Sequence, residues 1–175
     1  MRLDIAAGVA KQETIIAEGE KAMVPAHLQI QNLLGMYAER IDAADFAAVA
    51  ELFAHAVITS EGLPRETRGA QEAEALYRNS ARVYADDGTL HTKHVITNLI
   101  IEVDEEAGTA SCRSYVTVFQ QTPDLPLQPI YQGRYHDRFE CIDGQWRFTR
   151  RHMFNDRLGD LRHHLNPEIL ASLGW

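Results

Sequence analysis

The second half of the chain is dominated by two long alternating segments, HVITNLIIEVDEEAGTASCRSYVTVFQQ (94–121) and IYQGRYHDRFECIDGQWRFTRRHMFND (130–156). Each reads as strand, turn, strand. In the second, Asp143-Gly144 places two residues that tolerate positive φ between alternating strands, the signature of a tight hairpin. Short turns force sequence neighbours to pair antiparallel, so this half is committed to an antiparallel sheet. The first half has helical periodicity instead. Helices first and hairpins later mean α+β: a sheet with helices packed on one face.

Pro25 suits a first helical turn, where no backbone N–H is needed. Ile30, Leu33, Leu34, Tyr37 and Ile41 then recur at helical spacing and are expected to face the core. Asp45 is the expected N-cap of a second helix, FAAVAELFA, because its carboxylate can accept from the free N–H groups of the first turn. HAVITSEG is a short strand and turn. A third helix is expected from Gly69 to about Tyr84, broken by Asp86-Asp87-Gly88. Residues 1–24 read as an N-terminal extension, 25–157 as the domain and 158–175 as a C-terminal tail with a short helix near Pro167.

The 175 residues suit one domain with a sizeable core. A formal net charge of −8 disfavours nucleic acid as a partner, since that needs a basic footprint. No apolar run approaches the ~20 residues that span a bilayer, and residues 1–23 lack the apolar core of a signal peptide. A cytoplasmic location is therefore expected. Cys112 and Cys141, far apart in the sequence, are expected to be free thiols.

Three positions stand out chemically. His91 and His94 form a His-x-x-His pair, but on an incipient strand residues three apart point to opposite faces. No third ligand lies at a standard spacing, so a metal site is not expected. His94 starts the strand and would share a face with Ile96, Asn98 and Ile100, while His91 belongs to the preceding loop. Asp42 ends the first helix, where the helix dipole repels negative charge, and has no evident structural task. A carboxylate beside an imidazole would orient the ring and stabilise its charged form, making a general base. In WRFTRRHMFND, alternation puts Arg151, Met153 and Asn155 on one face and Arg150, His152 and Phe154 on the other; either they are an exposed edge-strand pair, or whichever arginine points to the covered face needs a partner. Tyr37 points inward from its helix. Tyr115, Tyr131 and Tyr135 are strand aromatics that line a cavity or fill it.

The stretches IQNLLGMYAERIDAADFAAVAELF, HTKHVITNLIIEVD and YHDRFECIDGQWRFTRRHMFND together resemble the SnoaL-like branch of the nuclear-transport-factor-2-like (NTF2-like) superfamily. The resemblance covers about residues 26–157 and implies a cone: a curved, mostly antiparallel sheet wrapped against three helices around an internal pocket. Relatives with lyase activity include scytalone dehydratase, a bile-acid dehydratase and a dehydrochlorinase. Their histidine precedes Thr-Asn of the first long strand, as His94 precedes Thr97-Asn98. Their aspartate ends the first helix, as Asp42 does. Tyr37 stands five residues before Asp42, as in the bile-acid dehydratase, and Arg151 follows Trp146-Arg147-Phe148. The acid that this dehydratase carries on the second long strand has no counterpart near Thr117.

The resemblance implies catalytic roles for His94, Asp42, Tyr37 and Arg151, and a pocket lined by Asn98, Tyr115, Thr117, Tyr135, Met153 and Asn155. The expected function is a cofactor-free lyase of dehydratase type, or an isomerase, acting on a hydrophobic cyclic or aromatic small molecule. No metal or cofactor is implied. Two alternatives remain open at this point: a pocket that binds without chemistry, and the small subunit of a ring-hydroxylating dioxygenase. A homodimer or higher homo-oligomer is expected from the exposed face of the curved sheet.

Overall fold

A computed structural model describes residues 24–61 and 65–172. The expected extension lies outside the described residues, apart from Val24. The elements run α1 (Ala26–Asp42), α2 (Phe46–Leu52), β1 (Val57–Ser60), β2 (Thr67–Arg68), α3 (Gly69–Ser80), β3 (Thr92–Asp104), β4 (Thr109–Thr122), β5 (Leu125–Ile142), β6 (Gln145–Leu158) and α4 (Pro167–Ser172). The six strands form one sheet in the order β2-β1-β6-β5-β4-β3. All pairings are antiparallel except β1 with β6, which is parallel. This is the expected α+β, NTF2-like arrangement: a curved, mostly antiparallel sheet carrying helices, with α4 as the short helix expected near Pro167.

Local chemistry explains the boundaries. Asp45 caps α2, its carboxylate accepting from the Ala48 N–H at 3.1 Å. The β5–β6 turn has φ of 52° at Asp143 and 75° at Gly144, the left-handed pair that matches strand twist in a two-residue hairpin. The third helix ends at Ser80, four residues early, because Ala81 leaves it to form a β-bridge with Leu165 of the tail. α1 presents Ile30, Leu34, Tyr37 and Ile41 inward at helical spacing. They pack with Phe53, Phe139 and Phe148, all essentially without solvent exposure. Each such side chain stabilises by roughly 1.5–3 kcal/mol on burial. Cys112 and Cys141 are free.

Bulges shape the sheet. β3 slips register between Thr97 and Ile100, where Asn98 takes a φ of 55°. A second slip falls between Gln132 and Gly133. A Cβ on Gly133 would collide with the Phe154 carbonyl oxygen and the Tyr131 hydroxyl, so only glycine fits there. Bulges of this kind bend a strand and increase its twist. Among the described residues no helix is long and apolar enough to cross a membrane.

Candidate active site

Asp42 is the last residue of α1, and His94 lies near the start of β3. The turn after α1 closes through the left-handed Ala44 (φ 56°). It leaves the Asp42 carboxylate aimed at β3, where it collects several donors. The His94 Nδ1–H donates to Oδ1 at 2.6 Å. The Thr92 hydroxyl donates to the same oxygen at 2.8 Å, and the His94 backbone N–H donates to Oδ2 at 3.0 Å. Both side chains are only 7% exposed. Burial alone would raise the Asp42 pKa. The hydrogen bond and charge of His94, with its backbone N–H and Thr92, outweigh burial and hold the carboxyl below its ordinary range. Since a carboxylate only accepts, Nδ1 carries a proton, which leaves Nε2 as the ring nitrogen facing away from Asp42.

His94 borders a cavity of about 330 Å³ between the helices and the inner face of the sheet. That is at the small end of ligand pockets, which run from about 300 to 1,000 Å³. Tyr37, Tyr77, Tyr131 and Tyr135 bring hydroxyls to its wall, and Leu76, Val118, Met153 and Leu158 bring apolar surface. Among the described residues the lining contains no Asp, Glu, Lys or Arg. Tyr37 meets His94, Tyr135 and Phe53 edge to face, with ring centroids about 6 Å apart. Burial first, and the neighbouring Tyr37 next, push the Tyr77 and Tyr135 hydroxyls well above their ordinary pKa. Burial also raises Tyr131, whose hydroxyl donates toward the Phe154 carbonyl and Asn155 Oδ1, both at 3.1 Å. These phenols stay protonated, so they are donors and not bases.

Of the residues singled out in the sequence, Asp42, His94 and Tyr37 come together, and Tyr135, Met153 and Asn155 line the same cavity. Four expected placements require correction. Tyr115 and Thr117 point to the outer face; Tyr115 is 55% exposed and both border a surface depression with Arg134 and Asp156. Strand alternation puts them opposite Val116 and Val118, which are buried inward. Asn98 sits exposed on the β3 bulge, which breaks the alternation that would have placed it beside His94. Arg151 does not line the cavity at all. It is fully buried and bound bidentately by Asp137, its Nε and Nη2 each donating at 2.8 Å. Its guanidinium lies 4.2 Å from the ring centroids of both Tyr37 and Tyr135, behind the cavity wall. Burial opposes the charge, but Asp137 outweighs it and keeps the guanidinium protonated.

His91 turns away from His94. It takes a φ of 54°, stacks on Tyr84 and bonds Asp86 Oδ1 at 3.1 Å. Among the described residues Asp86, Asp87 and His91 are the one cluster with potential metal-ligating atoms in mutual reach, and it lies on an exposed loop.

The tail supplies residues that sequence reasoning did not select. Leu158, Leu161, His164 and Leu165 all line the cavity. The segment is strapped down by several bonds. The buried Gln120 amide donates to the His163 carbonyl at 3.0 Å, and the Tyr84 hydroxyl to the same oxygen at 2.7 Å. Asn166 Nδ2 donates to the Asn79 carbonyl at 2.8 Å, closing the end of α3. No described group hydrogen-bonds the His164 ring, and its Nδ1 is buried without a partner. Burial, reinforced by nearby His94, lowers the His164 pKa to about 4, so the ring is neutral at neutral pH. Asp137 and Thr92 were missed too. Alternation could have found Asp137, which shares an inward face with Tyr135 and Phe139.

With this geometry in place, likeness to known proteins becomes informative. A family model described as a SnoaL-like domain matches residues 22–152. The chain belongs to the SnoaL-like domain family. Solved structures agree on the fold. An NTF2-like protein with a cystatin-like fold from Novosphingobium aromaticivorans superposes with a TM-score of 0.62 at 18% identity, over 74% of this chain and 81% of that one. A candidate scytalone dehydratase from the same organism gives 0.60 at 22% identity, over 77% and 86%. A candidate aromatic ring hydroxylase, also from that organism, gives 0.61 at 25% identity, over 80% and 98%. No curated protein matches the chain. In this SnoaL-like domain the family model stops at residue 152, so the tail that carries His164 lies beyond the matched region.

Proposed function

We propose that this SnoaL-like domain is a cofactor-independent lyase of dehydratase type, acting on an uncharged, hydrophobic cyclic small molecule. The observation that carries this reading is the 2.6 Å bond between Asp42 Oδ1 and His94 Nδ1 at the wall of a cavity lined, among the described residues, by no acidic or basic side chain other than histidine. In the neutral ring this tautomer makes Nε2 the base, and Asp42 is placed to stabilise the imidazolium once it forms. On a cyclic β-hydroxy ketone, Nε2 takes the proton next to the carbonyl. The electron pair moves onto the carbonyl oxygen, where a protonated tyrosine such as Tyr37 or Tyr135 donates to it. Return of that pair expels the β-hydroxyl, which leaves as water with the proton from His94. Isomerisation needs the same first step and ends with the proton returned to carbon.

Arg151 is a positioning residue in this scheme. It touches no cavity, but its charge beneath the tyrosine rings opposes the burial that raises the Tyr77 and Tyr135 pKa values. Neutral His164 is a further hydrogen-bond partner for an uncharged ligand oxygen. A second reading, support of a ring-hydroxylating assembly, is favoured by the likeness to the candidate ring hydroxylase and is tested by pull-down of a larger subunit. Self-association is proposed along β3, an edge strand with exposed Val95 and Ile100, and is read by sedimentation.

The test is dehydration of a panel of cyclic β-hydroxy ketones, followed by enone absorbance, with the His94→Gln and Asp42→Asn variants. Loss of turnover in both, with melting temperature and ligand-induced stabilisation retained, supports the reading. Undiminished turnover in either variant overturns it.

A further inference from the structure

The outer face of the sheet concentrates arginine side chains that no ion pair neutralises. Arg113 on β4, Arg138 on β5 and Arg150 on β6 surround a depression of about 510 Å³ together with His136 and His152. Register forces these groups close. Arg138 pairs directly across from Arg150, and Arg113, His136 and His152 form one continuous cross-strand row. Like charges directly opposite one another destabilise a sheet. Two other arginines of the same sheet are neutralised, Arg134 by Asp156 and Arg147 by Glu140. Among the described residues the side chains of Arg113, Arg138 and Arg150 make no ion pair or hydrogen bond. Two acids border the depression. The Asp137 carboxylate is turned through the sheet to Arg151, and Glu102 accepts from the Ser111 hydroxyl at 3.3 Å. A chain with eight more acids than bases thus leaves three guanidinium groups unpaired on one surface.

The His rings fit the same picture. His152 Nδ1 lies 2.7 Å from the Thr59 hydroxyl, which fixes its ring. His136 is held below its ordinary pKa, first by burial and then by the positive charges of Arg134, Arg113 and His152. An anion settled in the depression would relieve these repulsions.

We propose that this outer-face depression is a binding site for a small multivalent oxyanion of phosphate type. Guanidinium groups present planar forks that match phosphate oxygens bidentately, and three of them on adjacent strands converge on one depression. A second copy of the chain fits poorly, because two-fold pairing of this face would set arginine against arginine. The site is separate from the cavity: these side chains lie on the face opposite His94 and Tyr135.

The experiment is calorimetric titration of the full chain with inorganic pyrophosphate at low ionic strength. Saturable binding to the wild type is expected, weakening as salt is raised. R138A/R150A should bind weaker by about tenfold or more per arginine removed, with a melting temperature no lower than that of the wild type. His94→Gln should bind as the wild type does, which separates this site from the cavity. The proposal is overturned by any of four results: no binding at millimolar pyrophosphate, undiminished binding by R138A/R150A, capture of a polyglutamate peptide but not pyrophosphate, or self-association that Arg150→Glu abolishes.

Discussion

Two buried acid–base pairs stand on the inner side of this sheet, and they differ in what they leave open. Asp137 and Arg151 face each other across β5 and β6, and both carboxylate oxygens meet the guanidinium fork. Four aromatic rings close around it, from Tyr37, Tyr135, Phe53 and Phe148. The one loose end is Nη1, buried and unpartnered. Asp42 and His94 are nearly as sequestered, but only one ring nitrogen is occupied and the ring borders a cavity. A saturated pair of fixed charge holds a scaffold. A pair with one titratable nitrogen left at a cavity can move a proton. Under the proposed function the first pair is structural and the second chemical, and the contrast can be broken by experiment.

The largest effect is expected at His94. His94→Ala should lower turnover by about 10²–10⁴-fold, the usual contribution of a positioned base. Because Asp42 keeps Thr92 and a backbone N–H, the fold should survive. Circular dichroism alongside steady-state kinetics checks both halves; a variant that unfolds but stays active when folded would reverse the assignment. Next comes Asp137→Ala. It strands a fully buried guanidinium and should cost about 3–5 kcal/mol of stability in urea unfolding. If instead it left stability intact and removed only turnover, Arg151 and Asp137 would belong to the chemistry.

Legibility in the sequence followed the same division. Asp42, His94 and Tyr37 could be read because each sits at a definite place in a regular element: a helix end, a strand start, an inward helical face. Alternation separates Arg150 from Arg151 but does not say which faces the core, and the resemblance gives Arg151 a catalytic role. Tertiary packing of Tyr37 and Tyr135 over it decided otherwise. Asn98 was misplaced because a bulge shifts the period of two that strand reading depends on. Tyr115 and Thr117 lie on the wrong parity to face inward, and the buried Val116 and Val118 between and beside them carried that information. His164 had no local signal. Its place depends on Gln120, Tyr84 and Asn166 pinning a tail that shows no periodicity of its own.

His164 gives a smaller, pH-dependent effect. Its folded pKa is lowered to about 4 from 6.5, so between these values the unfolded chain binds the extra proton. Stability that is complete above pH 6.5 is therefore lost as pH falls toward 4. His164→Gln should flatten the melting temperature across this window relative to the wild type. An unchanged slope would mean that the ring is solvated, and that the tail does not close the cavity.

The smallest effect separates the two pairs most finely. Asp42 has a lowered pKa, so its contribution is fully present above the ordinary value of 3.8 and disappears as pH falls through the folded value below it. The Thr92 hydroxyl is one of the bonds that hold the carboxylate charged against burial. Thr92→Val keeps the shape and removes that bond, at a cost of about 1–3 kcal/mol near neutral pH for a bond to a charged group. With one donor gone, the Asp42 pKa moves back up and the acid transition should begin at higher pH. The Arg151 pair has no counterpart to this behaviour in its base, because a guanidinium does not titrate in proteins. A Thr92→Val variant whose acid transition matches the wild type would show that His94 alone sets the charge of Asp42. The hydroxyl would then be packing, and the proton-moving pair would reduce to two residues.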